Sequence, residues 1–477
     1  MLIKGNIIVL LILTLPVMVF SQTTFEKWYD YGYGESGACV QQTSDGGYII
    51  AGQQFITMGV SKNLLIKTDS SGNVTWYKLF GGPENNQIKA IRQSYDGGYI
   101  MTGQITGVQS GYYDISWLKT DSNGDTLWSK HTSLNSTAHN GWGQDIVQTA
   151  DSGMVVLAVT TDTSSGGFIW LIKTDKNGDT LWAKTTRKDA AVNNALALRQ
   201  TQDGGYIICG YIVITTFPQI LKPYLVKTNN LGDTTWTRII ATKDSNAGAY
   251  FVSPLNNGGY YIGGGSYTYA SEDFLAACLN STGDTIWEKL YGGIKNELAM
   301  SGQITKDGGY ILAGATSSFG MGNNDVYIVK TDSIGQQKWQ RTFGTSSADV
   351  GNYVQQTTDG GYIVTGYRIS DVYLIKTDSI GNVALSVSEE SRYGPLVLIY
   401  PNPFNTYTNV LLSNRVVSND DLHWKIIDVL GREIRGQKIP AGDTVLQIEK
   451  NNLYDGVYFL QLFSGSQILS SSKIMIR

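Results

Sequence analysis

Carboxylates and amides are the residues of this sequence best suited to chemistry, and they recur at fixed spacing. DSNGD (Asp121 to Asp125) and DKNGD (Asp175 to Asp179) carry the alternating oxygens with which a loop can surround a hard cation such as calcium. Other copies of the stretch read DSIGQ and DSIGN, and their first position becomes Asn229 or Asn280. Turn-forming ability persists across the copies while charge does not, so the stretch reads as a hairpin turn and no metal site is expected. A second set lies ten residues before each of seven DGG-type turns: Glu35, Asn86, Gly141, Asn193, Ala247, Glu297 and Asp349. Acids on separate elements could meet at a common axis as the paired carboxylates of glycoside hydrolysis; alternatively, the polar groups could cap connecting turns. His131, His139 and His423 are too few and too scattered for a zinc site or a Ser-His-Asp arrangement. Cys39, Cys209 and Cys278 lie far apart; the last two, in apolar runs, read as small buried hydrophobes.

The elements that position these residues are repeats. Six times an Asp or Asn is followed three residues on by Gly and seven on by Trp, ending at Trp76, Trp128, Trp182, Trp236, Trp287 and Trp339. Alternating with this is the turn Asp45-Gly-Gly-Tyr48, repeated from Asp96, Asp203, Asp307 and Asp359, with variants from Asp151 and Asn257. Successive turns are 51, 55, 52, 54, 50 and 52 residues apart, a period that implies one repeated structural unit. Each unit holds four strand-like runs, such as GACVQQTS, YIIAGQ, NLLIKTD and VTWYKLF, with Asp, Asn and Gly where hairpins need positive φ. Seven units of four antiparallel strands predict an all-β protein with a seven-bladed β-propeller, because ring closure protects edges that an array of small sandwiches would leave open. The register places a seventh Trp at 385, where Leu385 stands; Trp28 in FEKWYDYGYGESG matches Trp76 instead. The N-terminal strand is therefore expected to complete the last blade, with Val383 to Ser388 as the competing segment. All seven Trp residues, Trp28 included, read as wedges between blades, each burying roughly 200 Å².

Composition agrees with this reading and excludes several functions. Only 16% of residues are charged, 40 acidic against 36 basic, which leaves no electrostatic footprint for nucleic acid or anionic membrane. Residues 1–21 run from a Lys near the start through an apolar stretch with Pro16 to Ser21, too short for a membrane span and suited to a secretory signal. No later segment is long and apolar enough to cross a bilayer. The repeat region is assigned to 22–383, and a polar linker to 384–394. From Pro395 to Arg477 the repeat gives way to short alternating runs that predict a small C-terminal β-sandwich.

The last 80 or so residues carry Tyr400-Pro-Asn-Pro-Phe-Asn405, Ile427-Asp-Val-Leu-Gly-Arg432, Leu453-Tyr-Asp-Gly-Val-Tyr458 and Lys473-Ile-Met-Ile476. In order and spacing this segment resembles the type A sorting domain of type IX secretion cargo in the Bacteroidetes, with Pro401, Asn402, Pro403, Gly431, Gly456 and Lys473 at its motif positions. The resemblance implies export to the periplasm, handling by the type IX machinery, and release or attachment at the cell surface. The repeat is similar to the tryptophan-docking repeats of quinoprotein-like propellers. Those enzymes usually have eight blades and often adjacent cysteines; this chain has seven repeats and no adjacent pair, so no cofactor is expected.

Function is sought in the loops. Hairpins between strands one and two, and three and four, share one face of the ring, while the more variable connections share the other. That second face carries Tyr112, Tyr113, Trp142, Tyr267, Tyr269 and Phe319. Together with Glu35, Asn86, Asn193, Glu297 and Asp349, Trp142 defines a candidate ligand site. The expectation is a secreted or surface-displayed binding module for an extracellular glycan or protein, without catalysis. The alternative is a polysaccharide hydrolase or lyase using Glu35, Glu297 and Asp349.

Overall fold

The computed structural model describes residues 22–477 apart from 33, 58–59, 82–84, 107–111, 134–139, 163–165, 187–192, 217–218, 245, 268–270, 384–396, 413–421, 430, 441–442 and 465–466. The expected signal peptide, the expected linker, His139, Tyr269 and all of Val383 to Ser388 except Val383 lie outside the described residues.

Every regular element among the described residues is a strand. Seven four-stranded antiparallel sheets come from the repeats, each an open sheet in simple up-and-down order. The first consists of Glu35–Gln42, Tyr48–Thr57, Val60–Thr68 and Val74–Phe80. The next five begin with Asn86–Gln93, Asn140–Gln148, Asn193–Gln200, Asn246–Pro254 and Glu297–Ile304. The seventh takes Asp349–Gln356, Tyr362–Arg368 and Asp371–Thr377 from one end of the repeat region and Phe25–Tyr29 from the other. The first strand of each sheet contacts the first strand of the next, and that of the seventh contacts that of the first. The same kind of hydrogen bond marks these junctions: Ser44 N donates to Gln93 Oε1 (2.9 Å) between sheets one and two, and Thr358 N to Gln42 Oε1 (2.8 Å) between seven and one.

The core lies between sheets. Leu65, Ile49 and Cys39 of the first sheet pack with Ile88, Tyr99 and Met101 of the second. Middle strands such as Tyr310–Thr316 and Asp325–Thr331 are buried along their whole length, so their central residues, such as Val326 to Val329, read as apolar runs with no alternation. All seven first strands carry a bulge seven residues before the DGG-type turn, at Ala38, Lys89, Gln144, Leu196, Tyr250, Met300 and Asn352. A bulge leaves one residue unpaired and increases the local twist.

The wedge between sheets has a simple geometry. A Cβ placed on Gly124 would come within 2.6 Å of the Trp76 ring; the same holds for Gly178 against Trp128 and Gly381 against Trp339, at 2.7 Å each. Each indole therefore lies flat on the turn glycine of the following sheet. At the seventh-to-first junction the ring on Gly72 is Phe25, at 2.6 Å. Phe25 pairs with Lys376, as Trp76 pairs with Lys67, while Trp28 pairs three residues further along, with Tyr373. The expectation that Trp28 is the seventh wedge is therefore corrected. The N-terminal strand does complete the sheet, but in a register that puts Phe25 in the slot and leaves Trp28 under the Arg368 guanidinium, 4.1 Å from its ring centroid.

The DGG turn is a local device. Asp45 Oδ1 accepts from Gly47 N (2.9 Å), Gly46 has φ 82°, and a Cβ on Gly47 would stand 2.1 Å from Thr68 O. In the third repeat Ser152 occupies the first glycine position at φ 63°, a left-handed conformation that costs a residue with a Cβ.

The C-terminal region forms a three-stranded sheet (Val397–Tyr400, Tyr407–Leu412, Val445–Glu449) and a four-stranded sheet (Glu433–Lys438, Leu422–Ile427, Gly456–Ser464, Gln467–Ile476). The two share one core that includes Phe404, Val410, Trp424, Ile448, Leu460 and Ile474.

Two stability outcomes follow. Phe25→Ala costs about 3 to 5 kcal/mol, the range for emptying a buried aromatic site. Trp28→Ala, which loses a partly exposed ring and a cation–π contact worth about 0.5 to 1 kcal/mol, costs less; denaturant melts giving the reverse order would refute the register argument. Ser152→Gly raises stability by about 0.5 to 1 kcal/mol, read as a shift in denaturant midpoint, and an unchanged or lowered midpoint would mean the serine carries no strain.

Candidate functional site

The polar positions singled out in the sequence share one structural place. Glu35, Asn86, Asn193, Glu297 and Asp349 each open the first strand of a sheet, at the end opposite the DGG turns. Trp142, partly buried, lies in the first strand of the third sheet, opposite Val159. The acids and Asn86 are not set out as a ligand-facing rim: Glu35 is 2% exposed, Asn86 4%, and Glu297 and Asp349 0%. The acids accept hydrogen bonds from the chain's own turns and strands. Glu297 Oε1 accepts from Thr316 Oγ1 (2.7 Å) and Oε2 from Gly293 N (2.8 Å). Asp349 Oδ2 accepts from Thr345 N (2.5 Å) and Thr345 Oγ1 (2.9 Å), and Glu35 Oε1 from Gln54 Nε2 (2.9 Å).

What the sequence did not reveal is the partner of each acid. Asp273, Asp325 and Asp371 stand five residues before Cys278, Lys330 and Lys376, near the start of the third strand of sheets five, six and seven. Each faces the acid that opens the next sheet. A Cβ on Gly292 would lie 1.9 Å from Asp273 Oδ1 and 2.5 Å from Glu297 Oε2; one on Gly344 would lie 2.4 Å from Asp325 Oδ1 and 2.7 Å from Asp349 Oδ2. At the seventh-to-first junction, Asp30, Glu35 and Asp371 bring carboxylate oxygens within 4.8 Å of one another. Electrostatics record the crowding. Burial, then Asp273 and Glu297, push Glu272 up to about 7. Burial and Glu297 raise Asp273; burial, with Asp349 adding to it, raises Asp325.

A second group sits further along the first strands. Buried Asp145 accepts from Arg92 Nη2 (2.7 Å) and Arg199 Nη1 (2.6 Å), joining sheets two, three and four. Burial opposes its charge, but the two guanidiniums hold its carboxyl below the usual range. Arg at the same position of two repeats was the one available sequence signal.

The calcium-like loops are hairpins. Asp121 Oδ1 accepts from Asn123 N (2.9 Å) and Asp125 N (2.8 Å), and Asn229 Oδ1 accepts from Leu231 N (3.0 Å) and Asp233 N (2.8 Å) in the same way. An amide oxygen does the work of the carboxylate, which is why both residue types occur. His131 Nδ1 lies 3.2 Å from Asp114 Oδ2. The three cysteines are buried and unpaired.

In six sheets the DGG-type Asp receives the Lys of the third strand, buried in five of them and partly buried at Lys119: Lys67–Asp45 (2.8 Å), Lys119–Asp96, Lys173–Asp151 (2.8 Å), Lys227–Asp203 (2.8 Å), Lys330–Asp307 (2.7 Å) and Lys376–Asp359 (2.9 Å). In the fifth sheet both partners change together, to Cys278 and Asn257. The hydrogen bond from Lys227, with help from Thr201, lowers Asp203 to about 2.

In the C-terminal domain the motif residues meet. Asn402 Nδ2 donates to Lys473 O (2.8 Å) and Asn402 Oδ1 accepts from Met475 N (2.8 Å), tying the Pro401-Asn402-Pro403 segment to the last strand. Gly431 takes φ 79° in the turn where Arg432 N donates to Asp428 Oδ1 (2.9 Å), and Gly456 opens the strand that pairs with the last.

Residues 398–477 match the family of the secretion system C-terminal sorting domain. A type IX sorting tail makes this a secreted or cell-surface protein that engages the type IX secretion machinery. Among the described residues no helix is long and apolar enough to cross a membrane. No curated protein matches the chain. Among solved structures it is similar to the extracellular domain of a hybrid two-component system from B. thetaiotaomicron (TM-score 0.46, 10% identity, covering 96% of this chain and 59% of that one). It is also similar to the BP39L lectin from Burkholderia pseudomallei (TM-score 0.46, 10% identity, 74% and 98%) and to a protein from Dyadobacter fermentans (TM-score 0.42, 11% identity, 66% and 95%). This chain thus spans under two thirds of the first of these structures.

The Lys–Asp pairs set a pH dependence. Asp203 titrates near 2 when folded and at about 3.9 when unfolded, so its contribution is complete above about pH 4 and is lost as pH falls through 2. The carboxylate is mostly exposed, and screening keeps the effect small. The Asp203→Asn/Lys227→Met double variant therefore shows a smaller drop in Tm between about pH 5 and pH 2 than the parent; an equal drop would remove the pair from the account.

Proposed function

We propose that the seven sheets form a seven-bladed β-propeller and that the protein is an exported binding module for an extracellular protein or glycan. In this reading residues 1–21 are a signal peptide, 22–383 the propeller, 384–394 a linker and 395–477 the sorting domain. Support for the propeller comes from the cyclic contacts of the first strands and from Phe25 on Gly72, the equivalent of Trp76 on Gly124.

The observation that carries the binding reading is where large apolar groups are exposed. Phe55, Tyr112, Ile214, Met321 and Ile369 are exposed, and all five lie at the connections between second and third strands, on five different sheets. Ile369, 63% exposed, has φ 61°, a conformation that is an outlier for a β-branched residue and is found at recognition sites. Tyr95, Leu231, Ile334 and Ile380 are exposed at the DGG end as well, but the connections at this end vary most between repeats, so these five groups, with the partly buried Trp142, are read as the recognition face. Their largely aliphatic character suits a protein partner, whereas a glycan would use Phe55, Tyr112 and Trp142. The hydrolase alternative gains nothing from Glu35, Glu297 and Asp349, which are buried in separate junctions.

The test is a glycan array together with pull-down from extracellular protein, using the parent, a Phe55→Ser/Trp142→Ala/Ile369→Gly variant, and Tyr95→Ser on the opposite face as control. Loss of binding in the triple variant alone is the expected result, with affinity falling at least about tenfold, as for truncated interface anchors. Binding retained in the triple variant, or lost in Tyr95→Ser, would refute the face.

A further inference from the structure

The inner edges of the seven sheets carry charge of one sign. Each first strand lies at the edge of its own sheet, and the first strands contact one another in a cycle. On the propeller reading above, their open edges therefore face a common middle. Among the described residues of these strands, the side chains left partly or fully exposed include three cations, Lys89, Arg92 and Arg199, and no carboxylate. The acids of the same strands, Glu35, Asp145, Glu297 and Asp349, are all buried. In a chain whose net charge is −4, a middle lined by exposed cations is a local field that attracts anions.

The cations stand at two levels. At the inner level Arg92 and Arg199 share Asp145, and each keeps part of its side chain exposed, 19% and 26%. Burial raises the Tyr353 hydroxyl of sheet seven, on which Arg92, Arg199 and Asp145 also act. Sheets two, three and four do not adjoin sheet seven in the cycle, so these side chains converge on the middle from different sides of the ring. Lys89 stands three residues nearer the end opposite the DGG turns, at the bulge of the second sheet. The bulge leaves it out of the ladder, and its side chain is exposed between buried Ile88 and Ala90. Protein nevertheless surrounds the ammonium closely enough for burial to lower its pKa, and no hydrogen bond or ion pair reaches it among the described residues. An ammonium open to solvent, walled in by protein and without a counter-charge marks a concave site, where a partly desolvated cation gains most from an anion. On the adjacent first strand, Gln144 occupies the equivalent bulge, and the partly buried Trp142 lies two residues nearer the same end.

We propose that the middle of the ring is a pocket for a carboxylated sugar of an extracellular glycan, with the Lys89 ammonium pairing its carboxylate. Gln144 is placed to bond to sugar hydroxyls, and Trp142 offers an apolar ring to the face of the sugar. Arg92 and Arg199, already held by Asp145, add to the attraction from the inner level. An acidic peptide would satisfy the same charge, but an amide beside an indole suits a sugar, which presents hydroxyls at its rim and C–H groups on its face.

The experiment is calorimetric titration of the purified full chain with oligogalacturonate, alginate oligomers and hyaluronan fragments, each beside its methyl ester, and with polyglutamate. The parent is expected to bind at least one of the oligouronates at least about tenfold more tightly than its ester, an advantage that shrinks as salt is raised. Lys89→Met lowers that affinity at least about tenfold, while Lys89→Arg, which keeps the charge, retains most of it. Lys176→Met, in a hairpin loop at the DGG end, changes nothing. Because Lys89 makes no bond among the described residues, its variants keep the parent's melting temperature. Failure of the parent to bind any oligouronate overturns the proposal, as does equal affinity for acid and ester, unchanged binding in Lys89→Met, or a preference for polyglutamate. A Phe55→Ser/Ile369→Gly variant, with Trp142 in place, separates the pocket from the recognition face. Uronate binding lost in Lys89→Met and kept in this variant supports the pocket without the face; the reverse supports the face and overturns the pocket.

Discussion

The contact on which the repeat region depends is an aromatic ring laid flat on a turn glycine of the neighbouring sheet. A four-stranded sheet of this size cannot bury both faces by itself, and isolated sheets leave their edges open. The ring solves the first problem locally. Trp76 meets Gly124, Trp128 meets Gly178, Trp339 meets Gly381 and Phe25 meets Gly72, and behind each ring lies the DGG-type tyrosine or its substitute, as in Trp76–Tyr99 and Phe25–Tyr48. Because each sheet supplies a ring on one side and a glycine on the other, the contact propagates from sheet to sheet.

The two ends of the sheets differ in kind. At the DGG end the chemistry is nearly invariant: an Asp caps its own turn and receives a buried lysine, and when one partner is lost in the fifth sheet the other is lost with it. A buried ammonium without its carboxylate would be costly, so the two positions are constrained as a pair. At the opposite end the connections vary in length and composition, and carboxylates crowd at three junctions. Invariance marks the scaffold, and variation marks the end where recognition is proposed.

Legibility followed the range of the interactions. Turn residues act on their own backbone, so the DGG and Asp/Asn hairpins were readable from the sequence, including why Asn229 can replace Asp. The period and the four runs per repeat carried the all-β assignment, and the YPNPFN and KIMI segments carried the sorting domain, whose Asn402 joins them. The candidate site was legible only as positions. Equal spacing correctly placed Glu35, Asn86, Asn193, Glu297 and Asp349 at one structural level, but spacing says nothing of exposure, and the acids proved to be buried against turn amides and other acids. The bulges escaped notice because the unpaired residue is Ala, Lys, Gln, Leu, Tyr, Met or Asn in turn, and a bulge is set by strand geometry and not by side chain.

By itself the sequence determined what local chemistry can determine: where the chain turns, how many strands each repeat has, and which segment directs export. Only the tertiary structure decided what depends on contacts between distant segments. Matching on residue type favoured Trp28 as the seventh wedge; pairing of Phe25–Tyr29 with Asp371–Thr377 chose Phe25, because register sets which ring reaches Gly72. In the same way Asp30, Glu35 and Asp371 are scattered in the chain and become one cluster only where its two ends meet. A side chain's type is local, but its neighbours across a junction are a property of the assembled fold.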